Sequence, residues 1–325
     1  MARRRSSKLP LVAVVLLVVG VFGWMAGGWV ASGPLEKQIE FDVGQGEGLS
    51  ALADDLEAQG AISSATLFKL RARFLGGGTE VKEGSFLIPK GASEATILEI
   101  LKGDKVIRRL IAIPEGMPSI MVAERLMANK DLTGPVSAPG EGTVLPDSYD
   151  WQKGEPRAAV LKRMQAAMDK TLAELWAKRS PRTVAKTPQE ALILASIVEK
   201  ETGKPEERRM VAGLYSNRVR KGMLLQADPT IIYPITKGKP LGRRIRQSEI
   251  QAVNGYNTYT MVGLPKGPIT NPGRDSIAAV LNPAETEALF MVADGTGGHV
   301  FADTLEQHNA NVAKWFALRK ARGDL

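Results

Sequence analysis

The sequence predicts an α+β protein: an N-terminal transmembrane helix, a small α/β module and a domain of mixed helices and sheet. An uncharged apolar run opens the chain, a strand–glycine–helix pattern recurs after it, and longer helical periodicities fill the second half. The chain has 325 residues, of which 44% are hydrophobic and 24% charged. It is therefore long enough for two hydrophobic cores and too apolar for a disordered protein.

The apolar run contains no charged side chain between residues 9 and 32. As a helix it would be about 36 Å long, enough to cross a hydrocarbon core of about 30 Å. A basic cluster precedes it, made of Arg3, Arg4, Arg5 and Lys8. The positive-inside rule therefore predicts a cytoplasmic tail over residues 1–8, a transmembrane helix over 9–31 and an extracytoplasmic remainder. The alternative is a cleaved signal peptide, whose apolar region is normally shorter.

Composition excludes several kinds of site. The chain has no cysteine, so disulfide scaffolds, thiolate metal sites and cysteine nucleophiles are excluded. With only two histidines, His299 and His308, we expect no metal centre, and no motif indicates a cofactor. The net charge is +8, but the N-terminal basic cluster supplies half of it, so we expect no nucleic-acid partner.

A strand–turn–helix pattern recurs three times after the apolar run. In each copy an apolar residue stands three positions before a glycine, and helix positions follow it. The pairs are Val43 and Gly46, Ile88 and Gly91, and Ile113 and Gly116. Glycine permits the tight turn that such a unit needs. We expect this module to occupy residues 38–145, with a Gly- and Pro-rich hinge over 134–142, and a second domain over 146–325.

Helical patterns dominate that second domain. One helix is predicted over residues 155–177, and another starts at Thr187, where Glu190 completes a capping box, and stops at Gly203. Further on, the sequence predicts a helix over 206–221, a hairpin over 289–303 and a final helix over 305–322.

The helix that starts at Thr187 carries the strongest candidate for chemistry. It is apolar on nearly every side from Ala191 to Val198, and Glu199 and Glu201 follow. A carboxyl at the end of a buried helix needs a partner or a raised pKa, and a raised pKa suits a general acid. Glu199 lies beside small residues that leave room for a ligand, so the helical wheel favours it as the acid. The alternative is that both glutamates are merely ion-paired near the helix end.

A polar and aromatic set follows downstream. Amides and tyrosine rings together suit sugars, which offer hydroxyl edges and apolar faces, although the same residue types also build ordinary loops. The candidate substrate-binding residues are Asn217, Gln226, Asp228, Tyr256, Asn257, Tyr259 and Asn271.

Several segments together resemble the endolytic murein transglycosylase (MltG, YceG-like) family. The resemblance rests on ordered motifs over roughly residues 40–318. These are Ala195-Ser-Ile-Val-Glu-Lys-Glu-Thr202, Asn217-Arg218, Leu225-Gln-Ala-Asp-Pro-Thr-Ile-Ile-Tyr233, Tyr256-Asn-Thr-Tyr259, Gly263-Leu-Pro265, Ile269-Thr-Asn-Pro-Gly273 and Val292-Ala-Asp-Gly-Thr-Gly-Gly-His-Val-Phe301. The segment Leu145-Pro-Asp-Ser-Tyr149 matches with small departures at Leu145 and Ser148.

The resemblance implies a LysM-like peptidoglycan-binding module over residues 38–145 and a catalytic domain over 146–325. It also implies a single-pass protein of the bacterial inner (plasma) membrane, with its catalytic part outside the cytoplasm. Its activity would be that of a lyase, which cleaves MurNAc–GlcNAc β-1,4 bonds in nascent peptidoglycan strands, leaves 1,6-anhydro-MurNAc ends and terminates elongation. The implied partners are glycan strands and the membrane peptidoglycan synthases.

The family's catalytic glutamate falls on Glu199, and one carboxyl suffices for the chemistry. It protonates the glycosidic oxygen and then takes the proton of the sugar's own C6 hydroxyl, which attacks C1. One alternative is a hydrolytic muramidase with Asp228 as second carboxylate. Another is a non-catalytic, membrane-anchored peptidoglycan-binding scaffold. The sequence leaves the role of Glu201 open.

Overall fold

The computed structural model describes residues 9–44, 46–78 and 80–323, and the chain forms two compact units, Met1–Arg109 and Leu110–Leu325. Helices and short strands occur in both units, which confirms the α+β class. The predicted cytoplasmic tail over residues 1–8 lies outside the described residues.

Helix α1 (Leu9–Val30) begins the described chain. Its segment Leu11–Val30 has a mean hydropathy of 2.4 and, among the described residues, is the one helix long and apolar enough to cross a membrane. The end of α1 belongs to the core of the first unit: the ring centroid of Trp29 lies 6.0 Å from that of Phe68.

The first unit is built on one antiparallel strand pair. β1 (Ile39–Val43) pairs with β2 (Gly84–Ile88), with Ile39 opposite Ile88. The helices that cover this pair are α2 (Leu49–Ala58), α3 (Ala65–Leu75) and α4 (Glu94–Lys102). Their common core includes Phe41, Leu52, Leu56, Phe68, Phe86 and Ile97, all fully buried.

The second unit opens with a smaller core. β3 (Arg109–Ala112) pairs with β4 (Ser148–Trp151), and α5 (Ser119–Ala128) and α6 (Arg157–Ala177) complete this region. The core contains Ile111, Ile113, Val122, Leu126, Val160 and Met164. Because residues 110–145 share this core with α6, the compact units divide at residues 109 and 110, whereas the sequence placed the domain boundary at 145 and 146. The functional assignment of those domains stays a prediction.

The larger core of the second unit surrounds α7 (Pro188–Glu201). The elements that follow are α8 (Arg208–Arg220), α9 (Pro229–Thr236), α10 (Gln247–Ile250), α11 (Arg274–Leu281), β5 (Phe290–Ala293), β6 (His299–Ala302) and α12 (Leu305–Arg322). β5 and β6 form an antiparallel hairpin in which Phe290 lies opposite Ala302. α7 contacts α6, α8, α9 and α11. It is therefore the central element of this unit.

The recurring strand–turn–helix pattern is confirmed. β1 leads to α2, β2 to α4 and β3 to α5, each through a turn that contains the expected glycine. The φ angles of Gly46, Gly91 and Gly116 are 78°, 66° and 70°. Residues with a side chain rarely adopt such positive φ angles, which explains why glycine stands at the same place in all three copies.

Most helical predictions for the second half are also confirmed, with two local differences. α7 ends at Glu201, before the expected stop at Gly203, and a short 3₁₀ turn over Pro205–Glu207 precedes α8. The segment expected to be a hinge is tied to its surroundings: Arg157 donates a hydrogen bond to the Gly134 carbonyl at 2.7 Å, and the Ser119 hydroxyl donates to that of Gly140 at 3.1 Å.

Candidate active site

The site is positioned by α7, whose local sequence explains its start and its burial. The Thr187 hydroxyl accepts a hydrogen bond from the backbone N–H of Glu190 at 3.1 Å, and Pro188 occupies the first turn. Every side chain from Ala191 to Val198 is buried. A helix fixed in this way holds the two glutamates at its C-terminal end rigidly.

Glu199 is enclosed by protein groups. Its side chain is 5% exposed, its Oε2 accepts a hydrogen bond from the Gly273 N–H at 2.8 Å, and its Oε1 lies 3.8 Å from the Arg208 guanidinium. Burial raises the pKa of Glu199, and the Gly273 hydrogen bond opposes that rise. Arg208 also pairs with Glu115 at 2.6 Å and Asp275 at 3.3 Å. Glu199 therefore belongs to an ion-pair network, the alternative that the sequence offered for it.

The face of α7 that was expected to leave room for a ligand is filled. Ala195 and Ser196 are fully buried. The Ser196 hydroxyl donates to the Ile193 carbonyl at 2.7 Å and accepts a hydrogen bond from the Ile269 N–H at 3.1 Å. The small side chains admit a neighbouring backbone segment rather than a substrate.

A cavity of about 550 Å³ opens on the other side of the helix end, where Glu201 points. Three of the predicted sugar contacts line it: Gln226, Asp228 and Tyr259. Glu199 does not occur among the described residues that line it. The structure thus brings Glu201, and not Glu199, into one cavity with three of the seven predicted binding residues.

Glu201 has the properties of a general acid. Its Oε1 is buried and has no hydrogen-bond partner among the described residues. Burial, followed by the negative charge of Asp228, raises the pKa of Glu201 to about 7, while Tyr215 and Arg218 oppose that rise. A carboxyl with this pKa holds its proton on a large fraction of molecules at neutral pH. It can donate that proton and later remove another.

The polar groups around Glu201 define the rest of the cavity. The Tyr259 hydroxyl donates a hydrogen bond to Asp228 at 2.5 Å, which orients that carboxylate. Arg218 bonds the Leu225 carbonyl at 2.8 Å and the Gln226 side chain at 3.3 Å. These contacts fix the loop between α8 and α9, so its side chains meet a ligand in a preformed arrangement.

The remaining predicted contacts lie elsewhere. Tyr256 packs against Tyr233, with ring centroids 4.8 Å apart, and the Lys266 ammonium lies 5.0 Å from its ring. Asn217 donates to the Thr286 and Ala288 carbonyls.

Two further amides are fully buried. Asn257 donates to backbone carbonyls, the shortest bond being 2.8 Å to Ala252. Asn271 donates to the Met117 carbonyl at 2.9 Å and accepts from the Val144 N–H at 3.0 Å. These hydrogen bonds indicate that the two amides stabilise the surrounding loops. Contact of these residues with sugar stays a prediction.

Sequence reasoning missed several polar groups that line the cavity, among them Tyr215, Arg218 and His308. Tyr215 could have been found as an inward-facing position of the helix predicted over 206–221, and Arg218 as part of a motif shared with the family. His308 stacks on Phe290, with ring centroids 5.2 Å apart. Its position depends on how the final helix meets the hairpin, so no local pattern could have placed it.

Comparisons with known proteins give a consistent result. The model of the YceG-like family matches residues 41–314. The endolytic murein transglycosylase of Streptococcus pneumoniae strain D39 is 28% identical over 328 residues, which cover 86% of this chain and 58% of that protein. The protein of the same name from Bacillus subtilis strain 168 is 24% identical over 326 residues and covers 89% of each chain. This chain therefore spans little more than half the length of its pneumococcal relative.

A crystal structure at 2.6 Å of a YceG-like protein from Listeria monocytogenes has the same fold. Its TM-score is 0.53 and its identity 24%, and the match covers 85% of this chain and 99% of that one. Because the family model matches most of the chain, including every residue of the site described above, the chain belongs to the YceG-like family.

Proposed function

We propose that this protein is an endolytic lytic transglycosylase of peptidoglycan with Glu201 as its acid and base. The proposal rests on Oε1 of Glu201, a buried carboxyl oxygen that has no hydrogen-bond partner among the described residues. It lies in the cavity that Asp228 and Tyr259 also line. The names of the pneumococcal and Bacillus relatives support the class of reaction. The sequence predicted this role for Glu199. We assign it to Glu201 instead, because Glu199 is enclosed by Gly273 and Arg208.

The proposed reaction needs one carboxyl. Protonated Glu201 donates its proton to the glycosidic oxygen as the bond from C1 of MurNAc breaks, while the substrate's N-acetyl oxygen stabilises the positive charge at C1. The Glu201 carboxylate then removes the proton of the C6 hydroxyl, and O6 bonds to C1. The products are a 1,6-anhydro-MurNAc end and a free hydroxyl on the other fragment, and Glu201 is again protonated.

The experiment compares two isosteric substitutions on one helix. Full-length wild type, Glu201→Gln and Glu199→Gln proteins in detergent micelles are incubated with glycan strands, and the products are analysed by mass. We expect anhydro-ended fragments from wild type and from Glu199→Gln, because the amide oxygen introduced by that substitution can still accept the Gly273 hydrogen bond. Loss of a general acid should reduce the rate of Glu201→Gln by at least about 100-fold. The opposite pattern would return the role to Glu199.

The same products test the alternatives. Reducing ends would show that water attacks C1, and Asp228, in the same cavity, would then be the second carboxylate of a hydrolytic muramidase. If no variant cuts and the protein still binds strands, it is a non-catalytic scaffold.

We further propose the topology that the basic cluster indicates, with residues 1–8 in the cytoplasm and the chain after the apolar segment outside. The apolar segment Leu11–Val30 supports it. Because the chain has no cysteine, single substitutions report location cleanly. An impermeant maleimide should label the exposed Ser248→Cys in intact spheroplasts, and Ser6→Cys only after lysis. Labelling of Ser6→Cys in intact spheroplasts would contradict this topology.

The finer parts of the function belong to the same proposal. The first unit has its own core, which supports a separate LysM-like peptidoglycan-binding module in the first part of the predicted range 38–145, near the membrane. Strands cut close to the membrane are those still being made, so the reaction would terminate elongation beside the peptidoglycan synthases.

A further inference from the structure

A second cavity of about 270 Å³ adjoins the one that holds Glu201. The two share Lys200, Pro229 and Ile232 as lining residues. A ligand bound at Glu201 can therefore extend a substituent past Lys200 into the second cavity.

The walls of the second cavity combine apolar surface with positive charge. Ile232, Pro240, Leu241 and Ile269 supply the apolar surface, and Lys200 and Lys239 supply the charge. The described residues that line this cavity include no aspartate or glutamate. This lining fits a ligand with small apolar side chains and carboxylates.

The two lysines are open to such a ligand. Within residues 9–44, 46–78 and 80–323, the Lys200 ammonium has neither a hydrogen-bond nor an ion-pair partner. Lys239 pairs with Glu124 at 2.6 Å, but both side chains are about half exposed. Such surface pairs contribute little and exchange readily with another anion.

The cavity is also preformed. Gly238 has a φ of 85°, and a Cβ there would lie 2.8 Å from Cβ of Pro118, so the wall follows a tight turn that only glycine fits. The Thr236 hydroxyl donates a hydrogen bond to the Lys239 carbonyl at 2.7 Å, which fixes the same turn. A preformed cavity binds its ligand without a further ordering cost.

We propose that this second cavity binds the peptide stem that the muramyl residue of the strand carries. The inference rests on the proposed function and names the part of the substrate that the enzyme reads. The sugars of a strand are uncharged at their hydroxyl and N-acetyl groups, whereas the stem brings carboxylates and alanine methyl groups. The stem is attached to the muramyl sugar whose C1 is attacked, and that sugar must lie beside Glu201.

The test measures binding without cleavage. Full-length Glu201→Gln protein in detergent micelles is titrated with strands that carry their stems and with the same strands stripped by an amidase. Two further substitutions are made in this background: Lys239→Met removes a charge, and Leu241→Trp fills the cavity. Neither residue lines the catalytic cavity. Lys221→Met, an exposed lysine outside both cavities, is the matched control.

We expect the Glu201→Gln parent and the Lys221→Met control to bind stem-bearing strands about tenfold more tightly than stripped strands, from charge-assisted hydrogen bonds. Lys239→Met and Leu241→Trp should each bring that ratio close to one. A ratio near one in the parent, or an unchanged ratio in both variants, overturns the inference. Cleavage by wild type, measured in parallel, reports separately on the proposed function, because the binding ratio does not depend on turnover.

Discussion

Glu201→Gln should stabilise the protein at alkaline pH. The structure raises the pKa of this carboxyl from an ordinary 4.5 to about 7, chiefly by burial. The folded protein therefore binds the proton more tightly than the unfolded chain, and stability is lost as pH rises from 4.5 through 7. The two values correspond to a loss of about 3 kcal/mol above pH 8 and of less than about 0.5 kcal/mol at pH 4.5.

Glutamine keeps the shape of the side chain and carries no charge, so the variant escapes this loss. For a unit of this size, about 3 kcal/mol raises Tm by roughly 6–12 °C. The assay is a thermal scan of full-length wild type and Glu201→Gln in detergent micelles at pH 4.5 and pH 8. Glu206→Gln, an exposed residue in the following turn, is the control and should show no difference between the two pH values. An equal Tm change for Glu201→Gln at both pH values would refute the reasoning.

Three further predictions test the surroundings of the proposed acid, Glu201. The kcat/KM of wild type should fall as pH rises through about 7, because the proposed reaction needs protonated Glu201. Asp228→Asn should move that fall to lower pH, since the negative charge of Asp228 raises the pKa of Glu201. If the fall stays at the same pH in this variant, Asp228 does not have this role. Arg208→Met should destabilise the fold by about 3 kcal/mol in chemical denaturation, because it leaves carboxylates without their buried partner, and wild-type stability would contradict the network. Asn271→Ala should destabilise the fold by about 3 kcal/mol in the same measurement, because the Asn271 amide forms hydrogen bonds with buried backbone groups. Unchanged stability with a raised KM would identify a sugar contact instead.

The fold of α7 was predictable because its determinants are local. Thr187, Pro188 and Glu190 form the cap that the sequence indicated, and the apolar run that follows is buried as expected. The three turns at glycine were predictable for the same reason, since a positive φ is a property of one residue.

The surroundings of the two glutamates were not predictable, because they depend on what packs against the helix. Small residues beside Glu199 indicated free space, and the segment at Ile269 fills that space. The cavity at Glu201 is lined by α8, the loop before α9 and the β5–β6 hairpin, and no local pattern in the sequence brings these segments together. The amide of Asn257 illustrates the same limit: sugar contact and loop support require the same chemical group, and only its burial separates them.

The three glycine turns have unequal freedom to vary in evolution. A Cβ at Gly46 would meet no atom within 4 Å, whereas at Gly116 it would lie 3.5 Å from Cγ of Glu199. Asparagine tolerates the left-handed conformation, so drift to asparagine is open at the first turn at the cost of backbone strain alone. At the third turn the Cβ of asparagine would already be in van der Waals contact with Glu199, so the rest of the side chain has less room. One backbone device, used three times, is thus free to diverge where it borders open space and more constrained where it packs against the end of α7.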